Sequence, residues 1–256
     1  MQEANYRQGC LNKIMINEIL KVTYIHPPKT GGWSIISIFG GNSIMPENDW
    51  GHEVYPNHYT SEFYARRHTS MANHFVFATT RNPWQRVVSA YCWLTQNGIG
   101  ARTPTKEDGG KTRHCTFEEY VHWLAEDRIN IRHDINNSYW SHPNCVMDYI
   151  VARNSVAVDY ICEMQTINED FSYVADVLGM NIKINHMNKT KHNEYKSYYS
   201  DKSAEIVRKV FKKDIDYFGY SFDEIYTSKF NRVINQDKIN RYKKNKTLYR
   251  NGVFKI

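Results

Sequence analysis

The sequence predicts an α/β fold, a P-loop-like central parallel sheet flanked by helices, and three observations carry that expectation. Residues 22–34, VTYIHPPKTGGWS, run from β-branched and aromatic residues into a Pro/Gly turn, and then toward apolar residues at helical spacing. Residues 74–94 repeat the arrangement, HFVFATT as a strand and RNPWQRVVSAYCWL as the turn and helix that follow it. At 256 residues the chain is long enough for one substantial core and short for two.

In the first unit Val22 to His26 has strand composition, and Pro27 and Pro28 stop the ladder. Gly31 and Gly32 permit a backbone in which successive N–H groups point into one concavity, a nest for an anion. A helix starting near Trp33 and Ser34, with Ile35, Ile36 and Phe39 inward, adds its N-terminal dipole to the same attraction. Lys29 is then the point charge over a bound phosphate. The pattern GxxxxGK[ST] is not met, because the lysine precedes the glycines, and this argues against a nucleoside triphosphatase.

Around this unit, residues 1–20 read as a loosely amphipathic lead-in, and 40–74 as loops with one short helix from Ser61 to His68. In the second unit Asn82 is a good N-cap and Pro83 a good first helical residue, with Val87, Ala90, Tyr91 and Leu94 at helical spacing. Arg81 stands at the strand end, where its planar fork suits a phosphate, and Ser89 lies two turns into the helix. Farther on, Thr116 and Glu119 form a capping box for a helix burying Phe117, Tyr120, Val121 and Leu124. Residues 136–144 read as a loop and Val156 to Cys162 as a buried strand. A helix capped by Asn168 stops at Gly179, and another runs from Asp201 to Phe218 before Gly219.

Composition narrows the class. A hydrophobic fraction of 41% excludes wholesale disorder, and 14% aromatic residues supply surfaces for stacking on rings or sugars. The formal charge of +6 is concentrated in residues 229–256, which carry +8 and leave the preceding 228 residues at −2. The sequence therefore predicts a single domain over 1–228 with no nucleic-acid surface, followed by a basic, solvated C-terminal extension over 229–256. Five widely spaced cysteines without a CxxC pair predict reduced thiols, with neither a disulfide framework nor a metal site. No signal peptide or transmembrane segment is recognised, so the expected location is cytoplasmic.

The two units in order, HPPKTGGWS and TTRNPWQRVVSAY, resemble the sulfotransferases that use 3′-phosphoadenosine 5′-phosphosulfate (PAPS), closest to the branch that includes carbohydrate sulfotransferases. In that family the first loop reads PKTGGTS or PKTAGTS and binds the 5′-phosphosulfate, and the second segment reads RNPxxRxxSxY and holds the 3′-phosphate. Residues 158–178 resemble the family's acidic strand-and-helix segment, and 186–222 its C-terminal stretch ending in FGY-x-F. Trp33 departs from the usual threonine and Gln165 from a frequent glutamate.

The resemblance implies the sulfotransferase fold, in-line sulfuryl transfer without a metal, and adenosine 3′,5′-bisphosphate as leaving group. It assigns Lys29, Thr30, Gly31, Gly32, Trp33 and Ser34 to the 5′-phosphosulfate, with Lys29 also at the leaving oxygen, and Arg81 and Ser89 to the 3′-phosphate. The partner is a hydroxyl acceptor, a glycan or small molecule. A histidine base fits the chemistry, since its ordinary pKa of about 6.5 leaves it largely neutral at pH 7. His58, 23 residues before Arg81, is the first candidate and His52 the second; Trp140 and His142 are candidates for the acceptor site. Two other readings compete. One is a P-loop kinase-like nucleotide enzyme dependent on Mg²⁺, the other a non-catalytic module that binds anions or nucleic acid through the basic tail.

Overall fold

A computed structural model of the chain describes residues 16–17, 20–39, 58–67, 69–96, 116–131, 144–181, 184, 192–224 and 229–251. Within these residues the main sheet has the order β1-β2-β3-β6, from β1 (Ile16–Asn17), β2 (Val22–Ile25), β3 (Phe75–Thr80) and β6 (Tyr160–Glu163). A small hairpin of β4 (Val151–Ala152) and β5 (Ser155–Val156) precedes β6. Strands β2, β3 and β6 run parallel, in a register that sets Val22 beside Phe75 and Thr80 beside Glu163. Every residue of these three strands is buried, so none shows the in-and-out alternation of a half-exposed strand.

The helices are α1 (Gly32–Phe39), α2 (Ser61–Arg67), α3 (Pro83–Gln96), α4 (Phe117–Ile131), α5 (Val146–Ile150), α6 (Ile167–Leu178), α7 (Asp201–Val210), α8 (Lys212–Phe218) and α9 (Gln236–Asn251). Helix α3 packs on α4 and α7, α4 on α7, and α6 on β6 and α9. The caps expected at two helices form: Asn82 Oδ1 accepts from the Trp84 amide at 3.0 Å, and Thr116 and Glu119 exchange bonds of 2.8 and 3.2 Å. None of the described helices is long and apolar enough to cross a membrane.

Four local expectations need correction. The lead-in carries β1, an antiparallel neighbour of β2, so the sheet is mostly and not wholly parallel. The strand expected from Val156 to Cys162 is broken, because Asp159 turns both its backbone and its side chain onto Val76; its Oδ2 accepts from the Val76 amide at 2.7 Å. Asn168 lies inside α6, and Asp170 ties down the helix start instead, accepting from Glu163 N and Thr166 Oγ1 at 2.9 and 2.8 Å. The helix expected over 201–218 divides at Phe211, whose φ and ψ of −103° and 25° leave helical geometry. That turn buries Phe211 in the core and brings Asp214 to the amides of Val146 and Met147, at 2.8 and 2.9 Å.

Residues 229–251 are docked, not solvated. Tyr160 forms an antiparallel bridge with Val233, Ile161 N donates to Arg232 O at 3.0 Å, and Ile234 N to Asp159 O at 2.9 Å. The segment thereby occupies the outer edge of β6, which would otherwise offer unpaired amides. Helix α9 buries Ile239 and Tyr242, and its basic residues find acids: Lys238 lies 3.0 Å from Asp159 and Lys243 2.7 Å from Asp176.

Candidate active site

The loop between β2 and α1 adopts positive φ at Lys29 (65°) and Gly31 (84°), two positions apart. That alternation turns successive amides to one side, and at Lys29 it holds a non-glycine residue in a region that costs about 1–2 kcal/mol. Thr30 anchors the loop from beneath. Its hydroxyl donates to Pro27 O at 2.7 Å, so Thr79 must donate to Thr30 Oγ1 (2.6 Å) and Tyr24 to Thr79 (2.6 Å). With its one proton spent in this chain, Thr30 has only its backbone amide to offer a ligand.

The two glycines have a packing reason as well as a conformational one. A Cβ at Gly31 would lie 2.1 Å from Met164 Sδ, and one at Gly32 2.0 Å from Nε2 of the buried His26. His26 is scaffold: its ring stacks on Tyr24 with centroids 5.5 Å apart and touches the His58 ring at 4.4 Å. Ser34, buried at the start of α1, donates its amide to Gly31 O at 3.3 Å.

Lys29 carries no carboxylate partner among the described residues; its ammonium lies over the Trp93 ring, 4.9 Å from the centroid. Burial, with Arg81 alongside, brings it down to about 7. Arg81, at the end of β3, donates from Nη1 to Lys29 O at 3.3 Å, while its buried Nε has no partner among the described residues. Burial lowers it to about 10 against the attraction of Glu163, so it stays charged at neutral pH. Two cations and an orphaned donor around a concave loop fit an anionic group. Ser89 is buried on α3, between Arg86 and Trp93 on one stripe of the helix.

His58 lies just before α2, and its Nδ1 is 2.9 Å from His26 O. A carbonyl can only accept, so the proton sits on Nδ1 and Nε2 keeps its lone pair. Burial pulls the ring down to about 4, with the charges of Arg86 and Lys29 acting in the same direction. Lys29, Arg81 and His58 are thus brought to one loop. His52, Trp140 and His142 lie outside the described residues, as does the side chain of Trp33.

Other residues around the site were given no role from the sequence. Arg86 is structural and only 1% exposed. It donates to Pro28 O and Asn144 O, each at 2.8 Å, and faces Asp214 at 3.7 Å. Glu163 is fully buried beside the end of β3; Tyr220 donates its one proton to it at 2.7 Å, and the same phenol oxygen lies 3.1 Å from Thr80 Oγ1. Burial raises the Glu163 carboxyl to about 7. Gln165 bonds Gln85, so the position where the family often has a glutamate joins two neutral amides. Trp93 had a signal, its position four residues after Ser89 on the same helix face.

A family model described as the sulfotransferase family matches residues 14–221, which is most of the chain and includes both loops. No curated protein and no solved structure matches it. With the fold, the loop and the two cations already in place, that match assigns the chain: it belongs to the sulfotransferase family and is a PAPS-dependent sulfotransferase.

Proposed function

We propose that this enzyme moves a sulfuryl group from PAPS to a carbohydrate hydroxyl by in-line transfer, with Lys29 at the leaving oxygen, Arg81 and Ser89 at the 3′-phosphate and His58 as base. The observation that supports this best is the loop itself, around which, among the described residues, stand an ammonium without a carboxylate partner, an arginine whose buried Nε has no partner, and a histidine whose Nδ1 is bonded so that Nε2 keeps its lone pair. The amides of residues 30–34, apart from that of Ser34, belong with Lys29 as anion donors, held in place before reaction. When bound, PAPS supplies the activated sulfuryl group and leaves as adenosine 3′,5′-bisphosphate.

Lys29 offsets negative charge developing on the leaving oxygen. Its low value in the free protein means that an arriving anion, by favouring the charged form, draws a proton onto it. His58 Nε2 takes the proton of the acceptor hydroxyl as that oxygen attacks. Its depressed value keeps it unprotonated, and the donor's negative charge opposes the cationic field that depresses it. The carbohydrate acceptor rests on the resemblance to the carbohydrate branch.

Calorimetric titration without metal tests the donor assignment: adenosine 3′,5′-bisphosphate should bind more tightly than ATP, and preference for ATP with Mg²⁺ would overturn it. Transfer from ³⁵S-labelled PAPS to a panel of glycans and small alcohols and phenols tests the acceptor. Label on non-carbohydrate acceptors alone would overturn that part.

A further inference from the structure

We propose that Trp93 is a positioning residue for Lys29, its indole face holding the lysine ammonium at the mouth of the loop before the donor arrives. The proposal rests on the reading of Lys29 as a donor-binding group. The ammonium sits 4.9 Å from the ring centroid, within the range of a cation–π contact, and among the described residues it has no acidic partner to hold it otherwise. Trp93 is delivered by the helix already locked to the loop: Arg86, seven residues earlier on the same stripe, donates from Nε to Pro28 O at 2.8 Å. Trp93 is only partly buried, so its ring belongs to the wall of the site and not to the deep core.

The charged groups facing Lys29 are Arg81 from the end of β3, which repels it, Cys92 from α3, which attracts it when ionised, and His58 before α2. A flexible, partly buried lysine pushed away by Arg81 has every reason to leave the loop for solvent. The negative face of the indole supplies an attraction that neither repels the donor nor has to be broken by a competing carboxylate.

Because the ring stabilises the ammonium over the amine, removing it while keeping apolar bulk should lower the Lys29 titration further. The test follows the lysine ¹³Cε resonance by NMR across pH 5–10 in the wild type, Trp93→Phe and Trp93→Leu, with Lys29→Met assigning the signal. Trp93→Phe should stay near the wild type and Trp93→Leu move to lower pH by about half to one unit. In parallel, adenosine 3′,5′-bisphosphate should bind Trp93→Leu about three- to tenfold more weakly at pH 8 but equally at pH 5.5. Identical Lys29 titrations in Phe and Leu variants, or a binding loss equal at all pH values, would overturn the assignment. Failure of the wild type to bind the bisphosphate overturns the donor reading and this role together, whereas binding with an unshifted Lys29 overturns Trp93 alone.

Discussion

His58 donates from Nδ1 to the His26 carbonyl, and that bond leaves Nε2 as the ring's basic atom. Replacing His58 with alanine should lower kcat by about 10²- to 10⁴-fold while bisphosphate affinity stays within a fewfold, measured by initial rates and calorimetry. Loss of both together would point to a structural role. Lys29 and His58 also set the pH profile. The base must be unprotonated and the lysine charged, so kcat/KM should fall below about pH 4 and again above about pH 7. An acid limb near 6.5 would exclude His58 in this environment. Lys29 also links pH to stability. Its folded value lies below its unfolded one, so the fold bears the cost of the charge in full below about pH 7 and sheds it as pH rises toward 10.5. Lys29→Met should therefore melt at a higher temperature than the wild type at pH 6 while losing turnover by orders of magnitude, a stability gain with a functional loss. A lower melting temperature would mean that Lys29 stabilises the loop.

At the scale of the element, the loop and its flanking helices were legible because their signals are local. Pro27 and Pro28 end a strand by lacking amide donors, Gly31 takes a positive φ, and Asn82-Pro83 caps α3, all within a few residues of sequence. Features made by distant partners were not. The bond from Arg86 to Pro28, the break at Phe211 that serves Asp214, and the split at Asp159 depend on residues about 60 to 80 positions away, and periodicity carries no record of them. Gly32 lies between these cases. The sequence explained it by backbone freedom, yet among the described glycines with positive φ it is absent, and what requires it is the His26 ring beneath. Gly32→Ala should thus destabilise by about 1–3 kcal/mol through overpacking, read as a lower urea midpoint with an unchanged slope. An unchanged midpoint would show that the His26 ring yields freely.

Across the whole molecule, charge misled where contact decides. A run of basic residues after position 228 reads as a solvated tail, because composition reports what a segment carries and not what it meets. Three sparse features carry its docking. Val233 bridges Tyr160 at the edge of the sheet, Ile239 and Tyr242 enter the core, and Lys238 and Lys243 answer Asp159 and Asp176. Tyr242 also reaches the opposite end of the chain's path, its ring 5.8 Å from that of Phe75 and its hydroxyl on Leu20 O. Asp159, which joins β3 to the approach of β6, would keep a buried carboxylate without its lysine if the tail were removed. Burial of Ile239 and Tyr242 alone is worth roughly 3–6 kcal/mol as an upper bound, a large share of the stability of an ordinary domain. A chain ending at residue 228 should therefore melt at a markedly lower temperature and expose the β6 edge to association. The same truncation separates this role from that of a detachable polyanion-binding arm, which predicts an unchanged melting temperature and loss only of salt-sensitive binding. The double variant Ile239→Ala/Tyr242→Ala keeps every positive charge of the segment, so a similar fall in melting temperature would place the effect in packing, and an unchanged one would assign it to charge.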